Sequence, residues 1–174
     1  MLNIIVIDEK DKIIGFKDKM TVHKTGLLHR AFSVFIMNSK NELLIQQRAL
    51  NKYHSAGLWS NTCCSHFVSE KNEGEQAEKR LKEEMGITSQ LRWIFNYRYT
   101  VKLDNELTEN EIVYAYLGFS DEVPHPDKEE VHEWKYIQIR ALLKDMKKQP
   151  DTYTYWFKFA MREFVEKFKN FNIV

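Results

Sequence analysis

The sequence predicts a mixed β-sheet with helices on its faces, an α/β (α+β) sandwich. Three observations predict it. Short β-branched and aromatic runs outnumber helical ones, two such runs are joined by a tight polar turn, and apolar residues adopt helical spacing in the middle and near the end of the chain. In order, residues 3–8 form the first strand candidate, residues 8–12 a charged turn, and residues 13–16 a hairpin partner. Residues 30–37 and 42–48 form a second hairpin around the turn Asn38-Ser-Lys-Asn41. Residues 75–85 predict an amphipathic helix with Ala77, Leu81 and Met85 on its buried stripe and Gly86 as its C-terminal cap. Residues 91–101 and 111–119 are β-branched and aromatic. Residues 131–137 alternate Val131, Glu133 and Lys135 against His132, Trp134 and Tyr136. Residues 139–147 and 153–168 read as helices, the second with Phe157, Met161, Phe164, Val165 and Phe168 on one side.

At 174 residues the chain fits one domain, expected to run from residue 1 to 174, with enough length for a core and a pocket. Apolar content of 43% against 29% charged residues excludes a disordered chain. The 26 basic and 25 acidic side chains leave a net charge of +1, so no nucleic-acid partner is expected. No apolar run approaches the ~20 residues that cross a bilayer. The opening Met-Leu-Asn-Ile-Ile-Val-Ile-Asp is too short, and lacks the basic flank, for a signal peptide. Cys63 and Cys64, the only cysteines, are adjacent, and such neighbours rarely bridge. Two free thiols predict a reducing compartment, the cytoplasm.

The chemistry-bearing residues are scattered. Glu109 and Glu111, two apart, share a face if they lie on a strand, and paired carboxylates repel unless a cation or proton lies between them. Taken alone, the pair is read as part of a solvated acidic loop over residues 104–111, favoured about two to one. His23, His29 and His66 come from three separate segments, whereas His54, His125 and His132 lie in more polar surroundings. Three imidazoles and two carboxylates satisfy a five- or six-coordinate Zn, Mn or Mg. Cys64 sits in Trp59-Ser-Asn-Thr-Cys-Cys-Ser-His66, whose small and polar residues suggest a tight loop instead of a packed strand. A thiol there could exchange a proton, its pKa tuned by a nearby cation. No glycine-rich phosphate loop is present, so a phosphate would be held by side chains and metal, with Lys19, Arg48, Lys52 and Arg80 as scattered basic residues.

Five segments in this order resemble type I isopentenyl-diphosphate isomerases, enzymes of the Nudix fold. They are His23-Lys-Thr-Gly-Leu-Leu-His-Arg-Ala-Phe32, Gln47-Arg-Ala-Leu-Asn-Lys-Tyr53, Leu58-Trp-Ser-Asn-Thr-Cys-Cys-Ser-His66, Arg80-Leu-Lys-Glu-Glu-Met-Gly86 and Glu109-Asn-Glu111. The resemblance implies that His23, His29, His66, Glu109 and Glu111 hold a metal, and that Cys64 and Glu111 are the catalytic pair. It further implies that Tyr99 assists at the glutamate and that the Trp156 indole stacks over the reacting hydrocarbon. Glu84 would hold a Mg ion that travels with the diphosphate, and Lys19, Arg48, Lys52 and Arg80 would bind that diphosphate. The implied substrate is a small diphosphate, with neither nucleic acid nor membrane as partner; a monomer is the default and a dimer the alternative. The implied reaction moves a double bond by protonating the terminal alkene carbon and deprotonating C2, through a tertiary carbocation.

Two departures stand out. The box of Nudix hydrolases ends Arg-Glu-x-x-Glu-Glu-x-Gly, and here Arg80 replaces the glutamate of the Arg-Glu pair while Lys71 falls on the upstream glutamate. A cation cannot hold Mg, so diphosphate hydrolysis is not expected. Retention of acid, base, ligands and basic clamp argues against a non-catalytic binding module of the same fold. After His66 the isomerases usually continue with proline and a Pro-Gly-Glu-like turn, where this chain has Phe67-Val-Ser-Glu-Lys-Asn-Glu-Gly74.

Overall fold

The computed structural model describes residues 2–103 and 106–168. A hairpin of β1 (Asn3–Ile7) and β2 (Ile13–Asp18) leads through the short helix α1 (Lys19–Thr25) into β3 (His29–Met37). Then come β4 (Glu42–Arg48), β5 (Trp59–Ser60), β6 (Cys63–His66), α2 (Glu73–Met85), β7 (Arg92–Lys102) and β8 (Thr108–Phe119). The chain closes with β9 (Val131–Gln138), α3 (Ile139–Lys148), a 3-10 turn (Pro150–Thr152) and α4 (Tyr155–Phe168). All nine strands belong to one mixed sheet.

β3 is the spine. On one side β8 runs parallel to it along its whole length, from His29↔Glu111 to Met37↔Phe119, and β7 lies antiparallel beyond. On the other side it pairs in turn with β1 at His29, β6 from Ala31 to Val34, and β4 at Ile36 and Met37. The expected hairpin of residues 30–37 and 42–48 is therefore present but closes over two residue pairs only; β4 then diverges to pair with β9 and β5. Side chains bridge the split. Asn61 Nδ2 donates to the Val34 carbonyl at 3.1 Å, and Thr62 Oγ1 donates to the Leu44 carbonyl at 2.6 Å while accepting from the Ile36 N–H at 3.0 Å. Both side chains are fully buried, so these bonds tie the diverging strands together inside the core.

The period-two alternation of β3 builds two cores. Phe32, Val34 and Ile36 pack with Ala77, Leu81 and Met85 of α2. Ala31, Phe35 and Met37 pack on the opposite face with Leu142 and Met146 of α3 and Phe157, Met161 and Phe164 of α4. The stripe expected for α2 is borne out. In β9 the alternation is blurred: Val131 is buried, while Trp134 and Tyr136 only half-cover the α2-side core. Phe67, which stands where a proline is usual in the resembled family, is fully buried and rests 5.0 Å from the Phe32 ring. The loop after it is tied by Gln76, whose amide oxygen accepts from the Val68 N–H at 3.0 Å and whose nitrogen donates to the Ser69 and Lys71 carbonyls.

Gly86 closes α2 at φ +68°, with its N–H on the Lys82 carbonyl. A Cβ there would collide with the His125 carbonyl oxygen. Gly86→Ala is therefore expected to destabilise the protein by about 1–3 kcal/mol, combining a left-handed backbone with overpacking. Urea unfolding measures this; an unchanged midpoint would show that the His125 segment moves aside without cost.

Candidate active site

The register of the sheet collects the site residues on one face. His29, Glu111 and Tyr99 lie in one row across β3, β8 and β7; His66, Ala31, Val113 and Tyr97 in the next; Cys64, Ser33, Ala115 and Phe95 in the third. Small residues at Ala31, Ser33 and Ala115 keep the floor low, and the larger chemical groups stand around it. α4 covers this face and brings Trp156, and α1 brings His23. α1 is one feature the sequence does not announce: seven residues, held by the Asp18 carboxylate accepting from the Thr21 N–H at 3.0 Å and by Gly26 at φ +67°.

Two expectations are corrected here. Residues 63–66 form a strand paired with β3, where small and polar residues suggested a tight loop; those small side chains are what lets a strand pass under the cavity. Residues 108–111 belong to β8, and Glu109 and Glu111 are 4% and 5% exposed, so the solvated-loop reading fails for both glutamates. Asp104 and Asn105 lie outside the described residues.

One ligand atom each from His23, His29, His66, Glu109 and Glu111 falls within 4.8 Å of all the others. The tautomers sharpen this. His23 Nδ1 donates to the Lys19 carbonyl at 2.7 Å and His29 Nδ1 to the Leu27 carbonyl at 2.8 Å. With Nδ1 committed to a carbonyl, each ring turns its Nε2 to a carboxylate, His23 to Glu109 Oε2 at 3.4 Å and His29 to Glu111 Oε1 at 3.1 Å. His66 Nε2 lies 3.0 Å from the same Glu111 oxygen. Lone pairs facing lone pairs need a cation or extra protons between them. His23 Nε2 and Glu109 Oε2 are both buried without a hydrogen-bond partner. A divalent metal fits this donor set.

Protonation follows from surroundings. Burial works to raise the Glu111 carboxyl, but the His29 contact, the neighbouring Glu109 carboxyl and the Tyr99 hydroxyl outweigh it and bring the pKa down to about 2. Tyr99 donates to Glu111 Oε2 at 2.8 Å. Burial pushes the Cys64 thiol up to about 12, aided by the Glu84 carboxylate. Its Sγ donates weakly to Asn61 Oδ1 at 3.4 Å and lies 3.7 Å from Ser60 Oγ. The same Ser60 hydroxyl accepts from the Trp156 indole N–H at 2.9 Å, which fixes that ring beside the thiol. For His23, burial pulls the pKa down, but Glu109 more than compensates and the net shift is upward. Burial drives His66 well below its ordinary value.

Lys19, Arg48, Lys52 and Arg80 all line the same cavity, each half-buried instead of freely solvated. Arg80 holds Glu84 at 2.7 Å and Glu130 at 2.8 Å, Lys52 holds Glu130 at 2.5 Å, and Arg48 lies 5.3 Å from the centre of the Trp156 ring. Glu84 is buried in the cavity wall but apart from the five-residue cluster, and its second oxygen accepts from Gln46 Nε2 at 3.0 Å. His54 is the residue the sequence misplaces: it is 7% exposed, lines the cavity, and stands with Nε2 3.7 Å from Glu109 Oε1. Burial, then Arg48, lowers its pKa to about 4, so its ring is neutral. Its neighbours Tyr53 and Ser55 read as polar surroundings in one dimension, and nothing in that string marks the fold that buries it.

The NUDIX domain family model matches residues 27–157. Among solved structures, a MutT protein from Methanosarcina mazei superposes with a TM-score of 0.67 at 18% identity, covering 82% of this chain and 96% of that one. An Ap4A hydrolase from C. elegans does so with a TM-score of 0.57 at 16% identity, over 82% of this chain and 98% of that one. These likenesses show the fold, and fold and site together define a NUDIX protein with a His/Glu cluster that could hold a metal ion. Two relatives are far closer in sequence. Isopentenyl-diphosphate Delta-isomerase 1 of Aromatoleum aromaticum is 44% identical over 153 residues, 88% of this chain and 86% of that protein. The isopentenyl-diphosphate Delta-isomerase of Burkholderia multivorans is 44% identical over 154 residues, 88% of each. The chain belongs to the isopentenyl-diphosphate Delta-isomerase family. No helix among the described residues is long and apolar enough to cross a membrane.

Proposed function

We propose that the chain acts as its family does, interconverting isopentenyl diphosphate and dimethylallyl diphosphate, with Cys64 and Glu111 as its two proton-handling groups. The observation that carries this reading is what a single cavity brings together. Cations (Lys19, Arg48, Lys52, Arg80) and aromatic rings (Tyr97, Tyr99, Trp156) line it, with a thiol and a carboxylate rising from strands on either side of β3. The basic side chains bind the diphosphate, and that remote binding energy orients an apolar end that has no handle of its own.

A protonated thiol is the donor suited to the terminal alkene carbon, and an ionised carboxylate is the acceptor suited to C2. In that direction Cys64 gives a proton and Glu111 takes one; the reverse reaction exchanges their parts. Tyr99, bonded to Glu111, holds the carboxylate in place and is the route by which its proton can be relayed. The indole face of Trp156, which already lies beside the Arg48 guanidinium, stabilises the tertiary cation, and the ring with α4 excludes water that would trap it. His23, His29, His66, Glu109 and Glu111 would hold a divalent ion (Zn, Mn or Mg), which would supply positive charge to offset and order the two carboxylates. Glu84 would serve the Mg that travels with the diphosphate, once Arg80 turns from it to phosphate oxygens.

Purified protein given labelled isopentenyl diphosphate and Mg is expected to form dimethylallyl diphosphate, read by NMR. Release of inorganic phosphate in place of that product would overturn the reading in favour of a hydrolase.

A further inference from the structure

We propose that His54 is a positioning residue for the metal centre, fixing the Glu109 carboxylate from outside the ligand set. This inference rests on the metal reading of the five-residue cluster. Glu109 directs one oxygen, Oε2, at His23 and into the cluster; its other oxygen, Oε1, faces His54 Nε2 at 3.7 Å. A carboxylate that ligates through one oxygen needs a donor on the other to set its rotation and share its charge. Besides Glu109, the charged groups that act on His54 are Arg48, Lys19 and His23, with the Tyr53 hydroxyl-bearing ring packed against it, and His23 meets Glu109 through Oε2.

The rest of the environment prepares His54 for that task. Ser55 Oγ lies 3.3 Å from Nδ1; a hydroxyl donating there leaves the ring proton on Nε2, aimed at Glu109. Ser55 itself sits at φ +51°, a left-handed conformation that serine adopts at a cost, and the turn it makes swings the imidazole inward. The ring is clamped edge-on between Tyr53, 4.5 Å away, and Trp156, 5.7 Å away. The His54 carbonyl accepts from Arg48 Nη2 at 3.2 Å, so the same residue ties the metal cluster to the basic clamp. Closing 3.7 Å to a hydrogen bond takes a shift of well under 1 Å.

The test measures metal binding by itself. Wild type, His54→Ala, His54→Gln and, as a control, the exposed His132→Ala are stripped of metal and titrated with Mn2+ by EPR of the free ion and with Zn2+ against a chromogenic chelator. Thermal melts of the stripped proteins are recorded in parallel. His54→Ala is expected to bind about 10–100-fold more weakly, with His54→Gln, which keeps an N–H donor, recovering most of the loss and His132→Ala unchanged. Wild-type affinity in His54→Ala overturns the inference. Equal weakness of the Ala and Gln variants also overturns it, since that pattern belongs to packing against Trp156. Isomerisation is not read in this assay, so a failure of the proposed reaction leaves the result standing; a wild type that binds neither ion overturns the metal reading and this inference together.

Discussion

Replacing Cys64 by alanine is expected to leave a folded, metal-binding protein whose isomerisation rate falls by about 10²–10⁴-fold or more, the range lost with a general acid or base. The case for a clean loss is structural. Cys64 is only partly packed, its Sγ makes two long contacts (3.4 Å to Asn61 and 3.7 Å to Ser60), and the strand that carries it is held by backbone pairing to β3 and by Asn61 and Thr62. None of those anchors depends on the sulfur. Desolvation keeps the thiol protonated at neutral pH, and no other acid occupies its row of the sheet: its neighbours there are Ser33, Ala115 and Phe95. Cys64→Ser is expected to be nearly as inactive, because a serine hydroxyl is a far weaker acid. Rate measurements with a melting curve and metal content for each variant check this, and normal turnover by Cys64→Ala would remove the thiol from the reaction.

The strands and helices with long periodic patterns are legible in the sequence: residues 30–37, 42–48 and 75–85 fall where their β-branched runs, turn and glycine cap place them. What escaped was set by tertiary contacts. α1 is too short to show a helical period, and it exists because Asp18 caps it and Gly26 ends it. β6 does not look like a strand, since Cys63-Cys-Ser-His66 has little β propensity; its place is fixed by a partner, β3, and by the bridging of Asn61 and Thr62. The His/Glu cluster was legible as a list of donor types but not as a place, because its members come from α1, β3, β6 and β8, and convergence is a property of register. His54 escaped for the opposite reason. It belongs to no segment with a period, and polar neighbours in sequence say nothing about a ring buried against Trp156 and Glu109. The alternation of acidic residues was ambiguous in one dimension; the parallel pairing of β8 with β3 resolves it by turning both carboxylates inward.

Glu111 carries two duties, and Glu111→Gln is expected to separate them. The amide keeps the size of the side chain but cannot take a proton from C2, so turnover should fall by about 10²–10⁴-fold at any metal concentration. It also offers one NH2 where both carboxylate oxygens now serve as acceptors or ligands: Oε1 lies 3.0 Å from His66 Nε2 and 3.1 Å from His29 Nε2, and Oε2 accepts from Tyr99. Metal affinity should therefore drop as well. Glu109→Gln is the needed contrast. Glu109 lies at the cluster beside His23 and His54 but makes no contact with Tyr99, and its proposed part is ligation alone. Excess Mn2+ should restore a large share of activity to Glu109→Gln and almost none to Glu111→Gln, because added ion can refill a weakened site but cannot replace a base. Full rescue of Glu111→Gln by metal would reduce Glu111 to a ligand and move the base to another group, with Tyr99, 2.8 Å away, the first to test by Tyr99→Phe. The division of labour between two glutamates on one face of one strand thus rests on register: Glu111 stands opposite His29 and Tyr99, whereas Glu109 pairs with Val101, one alternation further toward α1.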